Sequence, residues 1–334
     1  MIKWEIERII NFEPGGLWKN GYANFGFHDR QGKQYAIQNQ KHFLGPIGPD
    51  DRLEWTLAPQ PVFGDVPNIA ADIKNPMYLD QLPDGTLLVS TGNSRVYMVD
   101  AGRMEARLFV DGAAFGMKDM GNCVVDDEGY IWVNEVEGCR VWRFDAQGQP
   151  VLTLGSGKPG FQPDTADFKT VRFNWVYDLR KGPDGSIYVL DSKNFALRMI
   201  DLKEQTVVTL AGNGKGGYDG DGGDARMATF GSDPQDYFDG PYSLSLDEDG
   251  NIYIGDTHNH VVRMIHRESC VISTIAGSSR VIDGKMNDPN ETDPFKLNLL
   301  LISSMEYYNG RLFVPQWNTE TGASDLIVLK KSSL

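Results

Sequence analysis

Few side chains here stand at the spacings that chemistry demands. The densest oxygen cluster is Tyr218-Asp219-Gly220-Asp221-Gly222-Gly223-Asp224. An EF-hand calcium loop starting at Asp219 needs a ligand at its fifth position and a glutamate at its twelfth. Gly223 and Phe230 stand there, so that spacing fails. A loop-bound calcium of another kind stays open, beside a plain turn-rich loop whose glycines take positive φ. His258 and His260 lie two apart, on one face of an extended segment. They are half a metal site, or His260 makes a structural hydrogen bond beside a strand turn. Two GxGxxG stretches, 155–160 and 212–217, lack the following helix that would hold a pyrophosphate, and loops explain both. Cys123, Cys139 and Cys270 do not have zinc spacing. Their odd, sparse count fits a reducing compartment, and buried free thiols are expected. No GxSxG elbow or HExxH helix is present, so serine-hydrolase and zinc-peptidase chemistry have no support.

The elements that position these residues repeat. Asp84-Gly85, Glu128-Gly129, Asp184-Gly185, Asp249-Gly250 and Asn309-Gly310 each separate two alternating apolar runs, and Gln31-Gly32 is a weaker sixth. That is the signature of a hairpin. A third and a fourth strand follow most turns, as in RVWRFD and then PVLTL. The turn glycines at 32, 85, 129, 185, 250 and 310 are 44 to 65 residues apart. Four strands per period of this size predict an all-β, six-bladed β-propeller of antiparallel sheets, taken as one domain over residues 1–334. The last unit lacks a fourth strand, which the run at about 4–12 can supply to close the ring.

In a propeller the first strand of each blade lines the axis. Eight residues before the turn glycines stand Asn24, Met77, Gly121, Tyr177, Tyr242 and Ile302. Seven before stand Phe25, Tyr78, Asn122, Asp178, Ser243 and Ser303. One of these two rings is expected to face the channel mouth. With Tyr22 and Trp175 the mouth is rich in aromatic side chains. A pocket of Tyr78, Asn122, Trp175, Tyr177, Asp178 and Tyr242 would suit a small molecule or a peptide. The loops 155–168, 212–238 and 280–295 are long enough to roof such a mouth or pad the opposite face.

Lys and Arg number 32 against 46 Asp and Glu, a formal charge of −14. This argues against DNA as a partner and disfavours RNA, although Arg172, Lys181, Lys193 and Arg198 could form a local basic patch. No apolar run is long enough for a membrane helix, and no basic, apolar leader opens the sequence. A soluble, cytoplasmic protein is the expectation.

The stretch AGNGKGGYDGDGGDARMATF, followed by DGPYSLSLDEDGNIYIGDTHNHVVRMI, resembles the NHL-repeat six-bladed propellers. The resemblance is clear over 76–330 and rests on phase alone before that. The wider superfamily it implies includes metal-dependent lactonases and phosphotriesterases of the gluconolactonase/senescence-marker type, amidating lyases and plain binding modules. Fold alone does not choose among them. The lactonases place Asn and Asp metal ligands at the minus-eight position and a Glu on the first blade. Here minus eight offers only Asn24, and Glu13 is a distant candidate for the Glu. A one-residue slip would instead turn Asn122 and Asp178 to the axis as ligands of Ca²⁺ or another divalent ion. The expectation is therefore a binding module at the axial mouth. The alternatives are a metal-dependent hydrolase or lyase and a protein-interaction scaffold.

Overall fold

The computed structural model describes residues 3–12, 23–39, 41–48, 52–162, 165–168, 170–232, 240–280, 286–318 and 323–332. Six small sheets form a ring. Their innermost strands are Ala23–His28, Pro76–Gln81, Met120–Val125, Val176–Lys181, Ser243–Leu246 and Glu306–Tyr308, which define blades 1 to 6. Each blade runs outward as an antiparallel meander. Two blades carry a fifth, outer strand: Asn68–Ala70, parallel to Thr56–Ala58 in blade 1, and Thr165–Asp167 on Thr206–Ala211 in blade 4.

The first hairpin of a blade follows from its turn chemistry. In blade 3 the Asp126 N–H donates to Tyr130 O, and the Gly129 N–H donates back to Asp126 O. Asp126 Oδ1 also accepts from the N–H groups of Glu128 and Tyr130. Such a loop ends in a left-handed residue, and all six turn glycines have φ between +78° and +93°. The second hairpin uses one turn of 3₁₀ geometry and a left-handed non-glycine residue: Ser94, Cys139, Phe195 or His260.

A blade buries only one face of each strand within itself, so blades must stack. The core is accordingly split into six apolar clusters, one between each pair of neighbours around the ring. The cluster between blades 6 and 1 joins Phe313, Leu326 and Val328 to Ala36, Phe43 and Ala58. Trp4–Phe12 pairs antiparallel with Ser324–Lys331 and is the outermost strand of blade 6, as expected.

Over its described length the long glycine-rich loop after blade 4 packs into the core between blades. Ala225, Ala228 and Phe230 wedge into the cluster between blades 4 and 5. Its aspartates serve the fully buried Arg263: Asp221 Oδ1 accepts from Nη2 at 2.7 Å, and Asp219 O accepts from the same nitrogen at 3.0 Å. Residues 163–164, 233–239 and 281–285 of the three long loops lie outside the described residues.

Candidate functional site

An innermost strand has a sheet partner on one side only. Its other edge faces the axis and would leave N–H groups unpaired. Side-chain acceptors from neighbouring inner strands fill those positions at five junctions. Asp80 Oδ2 accepts from Val125 N–H at 2.8 Å, and Asp178 Oδ2 from Leu244 N–H at 2.8 Å. Ser245 Oγ accepts from Tyr307 N–H at 2.8 Å, and Glu306 Oε1 from His28 N–H at 3.1 Å. Just beyond the strands, Gln81 Oε1 accepts from Arg30 N–H at 2.9 Å. Polar residues near the axis therefore first hold the ring together.

At the mouth end of the inner strands lies a cavity of about 200 Å³. Its aromatic wall includes Tyr78, Tyr177 and Tyr242, with Phe27 deeper. Its polar lining includes Asn39, Asn122, Asp178, Arg180, Ser303 and Ser304. The expectation that one of two rings faces the mouth is corrected: both contribute. The pairing register slips between Pro76 and Tyr78 and between Val176 and Asp178. A bulge lets consecutive residues turn to the same side. Met77 lines the cavity with Tyr78, and Tyr177 with Asp178. Ile302 and Ser243 are instead fully buried.

Five of the six predicted site residues come together: Tyr78, Asn122, Tyr177, Asp178 and Tyr242. Trp175 is not among the lining residues. It takes a left-handed φ of 58°, and Lys193 Nζ lies 4.1 Å from its ring centroid. Tyr22 and Glu13 lie outside the described residues, as do the side chains of Asn24 and Phe25.

Arg180 is the residue that spacing alone missed. It stands two positions after Asp178, on the same face of the strand. Its Nη1 donates to Asp178 Oδ1 and to Leu179 O, and its guanidinium carbon sits 4.2 Å from the Tyr78 ring centroid. Asn122 Nδ2 donates to the same Asp178 oxygen. Burial pushes the Asp178 carboxyl up to about 6, against the opposing pull of Arg180 and its hydrogen bonds. Burial also raises the Tyr78 phenol and the Glu306 carboxyl.

Asn122 and Asp178 do meet, through a hydrogen bond that Asn122 Nδ2 donates to Asp178 Oδ1. A hard divalent ion wants several oxygen donors with free lone pairs. Both Asp178 oxygens are already taken by N–H donors, one of them a guanidinium. Among the described residues no group of three His, Cys, Asp or Glu converges. The residues at this mouth do not fit the ligand set that the lactonase resemblance implied.

The remaining candidates find ordinary roles. His260 Nδ1 lies 2.8 Å from Leu299 O, the structural hydrogen bond expected of it. Cys123 and Cys139 are buried, but Cys270 is exposed because it occupies a hairpin turn with φ 57°. The proposed basic patch loses Arg198, which is fully buried beside Asp191 at 3.4 Å, while Lys181 pairs with Asp127. His28 meets Glu306 at 2.6 Å and stacks on Tyr308.

No family model matches the chain. Human NHL repeat-containing protein 2 is 29% identical over 102 residues, 29% of this chain and 13% of that protein. The repeat agrees with that likeness, and this chain forms six blades. The fold is that of an NHL-type six-bladed propeller. This propeller spans no more than 13% of the length of the curated relatives it matches. A protein of unknown function from Bacteroides thetaiotaomicron is similar over 98% of the propeller and 76% of its own chain, with TM-score 0.63 and 16% identity. Virginiamycin B lyase from Staphylococcus aureus, with quinupristin, is similar over 96% and 83%, with TM-score 0.57 and 9% identity. At such identities the likeness is one of fold. No helix among the described residues is long and apolar enough to cross a membrane.

Proposed function

We propose that this chain is a binding propeller whose axial mouth takes a small organic molecule or the end of a peptide. One observation carries the reading: inner strands of neighbouring blades bring an aromatic wall and a buried polar floor to one concave site. Few polar groups set in an aromatic cleft orient a ligand and exclude its competitors. The cavity is smaller than the roughly 300–1,000 Å³ of drug-sized sites, so it suits one ring or one terminal group.

The test is ligand-observed NMR with a mixed library of small polar molecules and short peptides. Tyr177→Ala and Tyr242→Ala serve as controls, because these two rings meet at the mouth, tilted by 38° with centroids 3.5 Å apart. Hits that bind the natural chain should lose about tenfold or more in affinity when either ring is cut away. Hits indifferent to both substitutions, or an empty screen, would reject the mouth as the binding site.

A further inference from the structure

Two buried polar atoms at the mouth are left without partners among the described residues: Arg180 Nη2 and Ser304 Oγ. Both residues are more than nine-tenths buried and both line the same cavity. An unmade hydrogen bond at a buried N–H is costly, so such groups are scarce unless something else meets them. Arg180 Nη2 can only donate, and therefore calls for an acceptor oxygen. Ser304 Oγ can donate or accept.

The charge around these atoms decides what kind of acceptor. Arg180 already pairs with Asp178. The carboxylates of Asp80 and Glu306 also lie within electrostatic reach of Tyr78, the ring beneath the guanidinium. No net positive charge is left for an anion, and a ligand carboxylate would add a further negative charge beside Asp178. Resting on the reading of the mouth as a ligand site, we infer that it takes an uncharged, oxygen-rich ring of monosaccharide size. Arg180 Nη2 donates to one ligand oxygen, Ser304 Oγ makes a second polar contact, and an apolar ring face lies on Tyr177 or Tyr242.

The probes are glucose, galactose and myo-inositol, set against glucuronate and galacturonate, with N-acetylglycinamide as a neutral peptide fragment. Saturation-transfer NMR and calorimetry read binding to the full chain. At least one neutral ring should bind, and its charged counterpart should bind about tenfold more weakly. Arg180→Lys keeps a cation beside Asp178 but loses the fork, and Ser304→Ala removes only the hydroxyl. Each should weaken the neutral ring by about tenfold. If Arg180→Lys does not fold, the small Ser304→Ala change decides. Uronates that bind as tightly as neutral rings would overturn the inference. So would neutral rings that bind equally well to both variants. If N-acetylglycinamide binds at the mouth and no ring does, this inference falls while the mouth remains a binding site. If nothing in the panel or the wider library binds, both fall.

Discussion

The Asp178 carboxylate takes hydrogen bonds from Asn122, from Arg180 and from the Leu244 N–H of the next blade. Asp178→Ala would strand a buried guanidinium and an inner-strand N–H together. Breaking one partner of a buried pair costs about 3–5 kcal/mol, and urea denaturation should show a loss of that order. A loss below about 1 kcal/mol would mean that water substitutes for the carboxylate. Burial also pushes Asp178 up to about 6 and Asp191 up to about 7. Between the ordinary aspartate range and those values the folded chain holds protons that the unfolded chain has released. Stability from these two groups is therefore fully present below the unfolded value and is lost as pH rises through about 6 to 7. Denaturation midpoints should climb as pH falls from about 8 to about 5. An opposite slope in that window would show that the two carboxylates are solvated in the folded protein.

At the scale of the element, two glycines separate strain from crowding. A Cβ on Gly129 meets nothing within 4 Å, and its φ of +85° is the whole obstacle. Gly129→Ala should cost about 1–2 kcal/mol. A Cβ on Gly121 would come within 2.3 Å of Asn134 Nδ2, which holds Val176 O across to blade 4 at 2.6 Å. Gly121→Ala should cost about 1–3 kcal/mol and also loosen Asn122, whose N–H donates to Asn134 Oδ1. Thermal melts of the two variants check both figures. Elements of this kind were legible because each first hairpin is local: a polar residue and Gly between alternating runs state both turn and face. The site was legible only in part. Tyr78, Asn122 and Asp178 follow from counting back along the strand. The bulges that turn Met77 and Tyr177 the same way are slips of pairing register with the next strand, which no local spacing reports. Arg180 was within reach, since it lies one alternation beyond Asp178. Its pairing, like that of His28 with Glu306, joins residues whose sequence separation carries no signal.

The whole molecule is held by contacts between neighbours, six clusters around an axis, so a break at any junction opens the ring. The strand Trp4–Phe12 secures the last junction by pairing along Ser324–Lys331. Removing residues 4–12 would bare that strand's edge and uncover Leu329 and Ile327, which pack in the cluster it shares with Trp4 and Ile9. The shortened chain should melt lower and self-associate, as read by light scattering. A monomer with an unchanged melting temperature would show that the closing strand is dispensable. Its pairing also sets a timetable. Trp4–Phe12 is made before the six inner hairpins, and its partner strand Ser324–Lys331 only after them. It must stay uncommitted while the six inner hairpins form one after another. Contacts of such long sequence separation slow folding. A circular permutant that links the two strands directly, and opens at an exposed turn elsewhere, should therefore fold faster at nearly unchanged stability.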